Sequence, residues 1–275
     1  MIVTTMMEAM LSAGLGPAKE LDLRDDGRLV RYRVEGDKPG SRNGWYVLHS
    51  QPMMAGAFGS WKTGESHTWR EASTKPQTPA ERAELAQRIK AMHAAREAEQ
   101  VAVHASAADR AAKLWARAHP ATNAHPYLQR KHVPAIGIRA LRDMLLIPAR
   151  DVDGTLHTLQ FISADGSKRF LTGGRIAGCY CAMGKPVDSL LLCEGYATAA
   201  TLFEATGAAV AACFSCGNLL PVARALRGKF PKLRLIVCAD NDHQTPGNPG
   251  VRHARAAARA VGGYVAVPQF VEVIR

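Results

Sequence analysis

The chain has 275 residues, enough for one large domain or two smaller ones. It carries 35 Lys and Arg against 24 Asp and Glu, a formal net charge of +11, and this surplus favours a polyanionic partner without identifying it. No apolar run is long enough to span a membrane, and the first residues lack a basic leader region. We therefore expect a cytoplasmic protein with no membrane partner.

Residues 1–75 have the texture of a small β-rich unit. Apolar residues at positions 30, 32 and 34 alternate with arginines at 31 and 33, which is the periodicity of a strand. Trp61 and Lys62 follow, and an aromatic ring beside a cation can stack an unpaired base and hold a phosphate. In a small domain, however, Trp more often belongs to the core. Template binding and a purely structural role both stay open for this unit.

Residues 79–118 predict a long helix that links two units. Ala, Glu, Arg and Gln dominate this stretch, and Pro79 suits the first turn of a helix. A continuous helix would be about 60 Å long, with an interruption near Ser106 as the alternative.

From residue 120 onward the pattern changes to mixed α/β structure. Residues 120–185 predict short strands joined by turns, among them Asp153-Gly154 and Asp165-Gly166. Residues 186–275 alternate apolar strands with helices, and the strands lie near residues 190–193, 208–214, 233–239 and 264–267. That order predicts a parallel sheet with helices on both faces.

Three carboxylates follow two of these strands directly. Glu194 comes after the first strand, and Asp240 and Asp242 come after the third. Sites in open parallel sheets form beyond the carboxyl ends of the strands, so the three groups can converge. Mg²⁺ prefers oxygen ligands and keeps several waters, so a few carboxylates and a substrate phosphate suit it. The alternative is that the Asp-Asn-Asp run is ordinary turn and cap chemistry.

The six cysteines all lie in the last hundred residues, mostly within or beside apolar strands. This distribution favours buried thiols over a disulfide framework. Cys213 and Cys216 have the spacing of zinc ligands, but no second half-site is evident, and we expect no zinc.

Glu194-Gly-Tyr-Ala-Thr-Ala199 resembles the EGYATA motif of primases from satellite phages and conjugative plasmids. Together with Asp240-Asn-Asp242 it resembles the acidic pattern of the Toprim superfamily, and residues 165–171 resemble the region that precedes the Toprim domain in such primases. The resemblance implies a Toprim-like parallel sheet in residues 186–275, preceded by a primase lobe in residues 120–185.

The resemblance also implies a function, which is synthesis of short RNA primers on single-stranded DNA for phage or plasmid replication. Its substrates would be ribonucleoside triphosphates, its cofactor Mg²⁺ or Mn²⁺, and a separate replicative helicase would be a candidate partner. Asp240 and Asp242 would hold the metal, and Glu194 would hold a metal or act as general base. Lys168 and Arg169 would contact phosphates or template, with an ordinary solvated turn pair as the alternative. The glycines at 173 and 174 would let a substrate approach the backbone closely.

Arg252, Arg255 and Arg259 share one face of the last predicted helix and are candidates to track a nucleic-acid backbone, although a plain surface face is the alternative. The chain departs from the family pattern in having no cysteine before Cys179, hence no Cys-based zinc ribbon. It also has only Glu272 where relatives often carry a late acidic cluster. A Toprim nuclease and a non-catalytic single-strand-binding protein remain the alternative functions.

Overall fold

A computed structural model describes residues 5–50, 54–71 and 79–269, with the side chains of residues 79–86, 88–96 and 99 outside that description. The chain forms two compact units, Met1–Ala94 and Ala95–Arg275. The finer domain boundaries at residues 75, 79, 118, 120 and 185 stay predictions. In the described ranges, no helix combines the length and the apolar character that crossing a membrane requires.

The first unit is a four-stranded antiparallel sheet with a short helix. Helix α1 (Met6–Ser12) begins at a capping box, in which Thr5 and Glu8 satisfy each other's backbone N–H groups. Strands β1 (Val30–Tyr32), β2 (Gly44–His49), β3 (Ala55–Ser60) and β4 (Ser66–Arg70) lie in that order across the sheet. One face of the sheet and α1 enclose a core that includes Met10, Tyr46 and Phe58.

Helix α2 (Pro79–Arg117) runs through Ser106 without a break, so an interruption there is wrong. Ala107 and Ala111, which follow Ser106, are fully buried. Ala111 packs with Leu146 and Leu159. Tertiary packing therefore holds the helix together at a residue whose own helix propensity is modest.

The second unit opens with an antiparallel five-stranded sheet. Its strands follow chain order: β5 (His119–Pro120), β6 (Arg139–Leu141), β7 (Met144–Arg150), β8 (Leu156–Ser163) and β9 (Lys168–Phe170). Helix α3 (Pro126–Lys131) lies between β5 and β6 in the chain and buries Tyr127 and Leu128.

The same unit contains a second, largely parallel sheet. It consists of β10 (Cys181–Met183), β11 (Ser189–Cys193), β12 (Ala209–Ala212), β13 (Arg234–Cys238) and β14 (Tyr264–Ala266), in the order β10-β12-β11-β13-β14. Helices α4 (Tyr196–Thr206), α5 (Cys216–Lys229) and α6 (Pro249–Ala260) connect the parallel strands. Separate hydrophobic cores lie on its two faces.

This arrangement confirms the predicted α/β fold class. The sheet differs from the prediction at one edge, where β10 pairs with β12 in the antiparallel direction. A three-residue strand gives too short a pattern for sequence periodicity to detect.

Candidate active site

The central pair of parallel strands brings the predicted carboxylates together. Strands β11 and β13 are hydrogen-bonded neighbours, with Leu192 opposite Val237. Glu194 follows the end of β11, and Asp240 and Asp242 follow the end of β13. Because the strands are parallel, all three residues emerge at one edge of the sheet, as sequence reasoning expects.

The three carboxylates influence one another's ionisation. Burial raises the pKa of Glu194 to about 7, and the charges of Asp240 and Asp242 add to this effect, while the backbone N–H of Cys216 opposes it. Burial and Asp242 also raise the pKa of Asp240, and Lys168 opposes that rise. One carboxylate oxygen of Glu194, Oε1, is buried without a hydrogen-bond partner. Crowded, partly desolvated carboxylates of this kind require a cation when they are all ionised.

The Asp-Asn-Asp loop is positioned by the residue that starts α6. The side chain of Asn248 caps the helix by accepting the Val251 N–H at 3.3 Å, and the same oxygen accepts the Asp242 N–H at 3.1 Å. Its amide nitrogen donates to Asn241 Oδ1 at 2.8 Å. Gly250 leaves the space for this turn, since a Cβ there would collide with the carbonyl oxygen of Asp240. Sequence reasoning missed Asn248, although Asn followed by Pro is a typical start of a helix.

The loop after β12 holds Glu194 from the other side. Phe214 adopts a left-handed backbone conformation with φ of 73°, which is rare for a bulky residue, and its N–H donates to the Glu194 carbonyl at 2.6 Å. Its ring meets Phe170 of β9 edge-on, with the centroids 5.4 Å apart. Backbone strain of this kind persists only where surrounding contacts enforce it, and it concentrates at functional sites.

Asn218 clamps this loop. It is buried within α5, and its Nδ2 lies 2.8 Å from the Cys213 carbonyl and 2.9 Å from the Cys179 carbonyl. Its Oδ1 accepts the Gly178 N–H at 2.8 Å. The side-chain amide of Asn218 therefore ties the end of β12 and residues 176–179 to the start of α5. The first residue of α5, Cys216, directs its backbone N–H at Glu194.

We expect Asn218→Leu to lower the free energy of unfolding by about 2–4 kcal/mol, because it leaves several buried backbone groups without partners at nearly constant volume. Chemical denaturation would measure the loss. Asn123→Leu is the matched control, since the exposed Asn123 makes a single bond with the Ala135 N–H and its loss should cost under about 1 kcal/mol. Equal stability of the two variants would contradict the clamp.

The antiparallel sheet contributes Lys168 to the site. Its ammonium lies 5.9 Å from the centre of the Tyr127 ring and is electrostatically coupled to Asp240. Partial desolvation lowers the pKa of Lys168, nearby Lys131 lowers it further, and Asp240 opposes the change. Lys131 is a basic neighbour that the sequence did not single out. It stands in the last turn of α3, and only the fold brings it near β9.

Arg169 is not brought to the carboxylates. Neighbouring residues of a strand point to opposite faces, and the Arg169 guanidinium lies 5.6 Å from the Phe161 ring centre and 3.5 Å from the Met144 sulfur. The paired glycines at 173 and 174 also face protein. Gly173 approaches α2 at Val103, and a Cβ on Gly174 would collide with Thr158. The expectation that these glycines admit a substrate is therefore wrong.

The remaining candidates lie elsewhere on their units. Arg252, Arg255 and Arg259 are exposed on α6, with Arg252 in its first turn. Trp61 is exposed in the first unit, and Lys62 there forms an ion pair with Asp37 at 2.7 Å. Glu272 lies outside the described residues.

The donor set at the strand ends fits a hard divalent cation. All three side chains offer carboxylate oxygens, and one of these oxygens is buried and unpartnered. Within the described ranges, no group of three His, Cys, Asp or Glu side chains is arranged to hold a metal ion. Mg²⁺ would complete its coordination with waters and substrate phosphates. The six cysteines are free thiols.

Metal binding should depend on pH through Glu194. The pKa of Glu194 is raised to about 7, so this carboxyl is mostly protonated at pH 6, and a metal must displace that proton. We expect the apparent affinity for Mn²⁺ to be about tenfold weaker at pH 6 than at pH 8. Calorimetric titration at both pH values would test this, and Glu194→Gln should flatten the difference. Identical wild-type affinities at the two pH values would contradict it.

The same shift has a consequence for folding in metal-free protein. The unfolded chain ionises Glu194 near its ordinary pKa, whereas the folded chain keeps the proton up to about pH 7. The stability contribution of Glu194 is therefore greatest at low pH and is lost as the pH rises through that window.

Comparison with known proteins identifies the domain. Residues 189–268 match the family model of the Toprim domain. This stretch of the chain is therefore similar to Toprim domains. It is also 38% identical over 258 residues to a DNA primase TraC of Escherichia coli, a match that covers 89% of this chain and 24% of the relative. A second Escherichia coli DNA primase TraC is 37% identical over 281 residues, covering 96% of this chain and 19% of the relative. The chain thus spans about a quarter or less of the length of these relatives. These matches confirm the resemblance to Toprim primases.

Solved structures of primases were also found. The primase fragment of the bacteriophage T7 primase-helicase protein aligns with 52% of this chain over 64% of the fragment's length, with 13% identity and a TM-score of 0.40. A DNA primase domain from Pseudomonas aeruginosa aligns with 49% of this chain over 46% of that domain's length, with 16% identity and a TM-score of 0.35.

Proposed function

We propose that the chain is a DNA primase that joins ribonucleotides into short primers on single-stranded DNA, in phage or plasmid replication. The observation that carries the proposal is the convergence of Glu194, Asp240 and Asp242 at one edge of a Toprim sheet, with Lys168 beside them. Identity to two DNA primases over most of the chain supports the same reaction.

The reaction is attack of a 3′-hydroxyl on the α-phosphorus of a ribonucleoside triphosphate, with pyrophosphate as the leaving group. Asp240 and Asp242, with Glu194, would hold Mg²⁺ or Mn²⁺, which when bound neutralises charge on the phosphoryl oxygens. Lys168, which the antiparallel sheet contributes, supplies positive charge beside Asp240. Glu194, with its raised pKa, is also suited to hold a proton from the attacking hydroxyl.

Backbone groups support the same assignment. Helix α4 begins directly after Glu194, and its N-cap residue, Gly195, offers no side-chain cap. The free N–H groups of such a helix start can face a phosphate, and Lys168 Nζ would lie 4.0 Å from a Cβ placed on Gly195. Tyr196 anchors this helix, since its hydroxyl accepts the Ile136 N–H at 2.7 Å and contacts the Pro134 carbonyl at 2.9 Å. These bonds tie the start of α4 to the segment between α3 and β6.

The decisive experiment incubates the purified chain with single-stranded DNA, labelled ribonucleotides and Mg²⁺ or Mn²⁺, and resolves the products on a gel. We expect template-dependent ribonucleotide products. DNA cleavage without any nucleotide-dependent product would favour a Toprim nuclease. Tight strand binding without either product would favour a non-catalytic binding protein. A separate replicative helicase is the candidate partner, and adding one would test whether it stimulates the reaction.

A further inference from the structure

The sheet of the first unit has a core face and an outer face of different chemistry. The register places Arg31 of β1 opposite Trp45 of β2, and Trp45 opposite Gly59 of β3. Alternation along β2 puts Tyr46 and Leu48 in the core and leaves Trp45, Val47 and His49 on the other side. In this unit, therefore, the outer face carries large side chains that do not belong to the described core.

An aromatic pair stands on this outer face. The rings of Trp45 and Trp61 lie 5.7 Å apart, tilted by 36°. Gly59 makes room for the pair, since a Cβ there would approach the Trp45 ring to 2.8 Å. Trp61 is 58% exposed, although its backbone is fixed by donation to the Asn43 carbonyl. A large ring that is held in place yet exposed presents a flat apolar surface to solvent.

A cationic groove adjoins the pair. It has a volume of about 410 Å³, runs beside the edge strand β1, and is lined by Lys19, Arg31, Arg33 and Arg42 with one carboxylate, Glu20. Arg31 belongs to both features, because it lines the groove and is the cross-strand neighbour of Trp45. Its Nε donates to the Arg42 carbonyl at 3.0 Å, which fixes its direction.

The arginines at the strand positions of the outer face have no acidic residue among the other positions of those strands on that face. The strand positions on this face include Arg31, His49 and Arg70, and none of them is Asp or Glu. Asp26 pairs with His49 at the far end of the sheet from Trp61, whereas Glu65 lies in the same turn as Trp61 and Asp37 pairs with Lys62. An anionic partner therefore meets attraction at the groove and at Arg31, the cross-strand neighbour of Trp45, while Lys62 is neutralised by Asp37.

We propose that this outer face binds single-stranded nucleic acid, with phosphates in the groove of β1 and an unpaired base stacked on Trp61. Flat aromatic surface beside a line of cations is the chemistry that holds a strand without reading its sequence. The proposal rests on the proposed function in one respect, that the bound strand is the primase template. The proposal gives the base-stacking role to Trp61 and a structural role to Trp69, because Trp69 packs against the core while Trp61 does not.

Binding of a fluorescein-labelled oligodeoxythymidylate to the full chain tests the proposal, in buffer with chelator and no nucleotide. Trp61→Ala should weaken binding by about fivefold or more, as expected for loss of one base–aromatic stack. Arg31→Gln should weaken binding and reduce the slope of log affinity against log salt concentration by about one. Tryptophan emission of the wild-type chain should be quenched by the strand, and less so in Trp61→Ala.

Two matched variants control for charge and apolar area. Leu11→Ala removes a side chain of similar exposure, 55%, from α1, and Arg24→Gln removes one charge from an exposed position outside the groove. Both should bind as the wild type does. Wild-type affinity in Trp61→Ala, no binding by the wild-type chain, or equal binding of duplex and single strand would each overturn the proposal. Because the assay contains neither metal nor nucleotide, these outcomes are independent of whether the chain makes primers.

Discussion

Asp240→Asn should abolish primer synthesis, with a loss of at least about 10³-fold, because a metal bridge to a transferring phosphoryl group contributes several kcal/mol to the reaction. The substitution removes charge at nearly constant volume. Burial and Asp242 raise the pKa of Asp240, so its charge is unfavourable in the metal-free fold. The variant should therefore be at least as stable as the wild type without metal, and inactivity could not be attributed to unfolding.

Primer formation on single-stranded DNA and thermal denaturation with chelator are the two measurements. Asp188→Asn is the matched control, since Asp188 is exposed at the amino end of β11, the opposite end of the strand from Glu194. It should synthesise primers at the wild-type rate. Residual synthesis by Asp240→Asn within tenfold of the wild type would remove Asp240 from the metal site.

The fold of residues 186–275 is predictable from sequence because each signal is local. Apolar runs with turns between them locate β11, β12 and β13, and parallel order then brings Glu194 and Asp240 to the same edge. The pairing depends on alternation of strands and helices, which sequence displays directly.

The residues that hold and surround the carboxylates were less predictable, because their roles depend on contacts between positions far apart in the chain. Asn218 bonds to the carbonyl of Cys179, and Lys131 approaches Lys168 from another element. Nothing in the local pattern around Lys131 marks it as part of the site. Arg169 shows the same limit, since its neighbour Lys168 has the same charge and only the face of β9 separates their surroundings.

The exposure of the tryptophans in the first unit was likewise only partly predictable. Sequence placed Trp61 among cations but could not separate an exposed ring from a core ring. The register of four strands does so, because Trp45 lies on the outer face and Trp69 packs with the core. Which face a residue occupies is fixed by pairing between strands, and a one-residue slip would reverse it.

The role of Lys168 distinguishes primer synthesis from DNA cleavage. Both reactions use acidic metal sites, so dependence on metal does not discriminate between them. A primase must also bind a triphosphate, which requires positive charge beside the carboxylates. Lys168 is coupled to Asp240 and lies near the start of α4, where the phosphates of a nucleotide are proposed to bind.

Lys168→Ala should reduce primer synthesis by about 100-fold, chiefly through a higher KM for ribonucleotide, while affinity for single-stranded DNA falls much less. Arg169→Ala should have a smaller effect, because the Arg169 guanidinium lies over Phe161 on the other face of the strand. Lys185→Ala, at an exposed position after β10, removes the same charge away from the site and should leave synthesis unchanged.

Steady-state kinetics with varied ribonucleotide, alongside strand binding at one salt concentration, would separate these effects. An equal loss of DNA affinity and synthesis in Lys168→Ala would assign Lys168 to the template. A larger loss in Arg169→Ala than in Lys168→Ala would place the nucleotide on the opposite face of β9. If the wild-type chain cleaves DNA with Mg²⁺ in the absence of nucleotide and Lys168→Ala cleaves equally well, the carboxylates serve a nuclease, since hydrolysis has no triphosphate for Lys168 to bind.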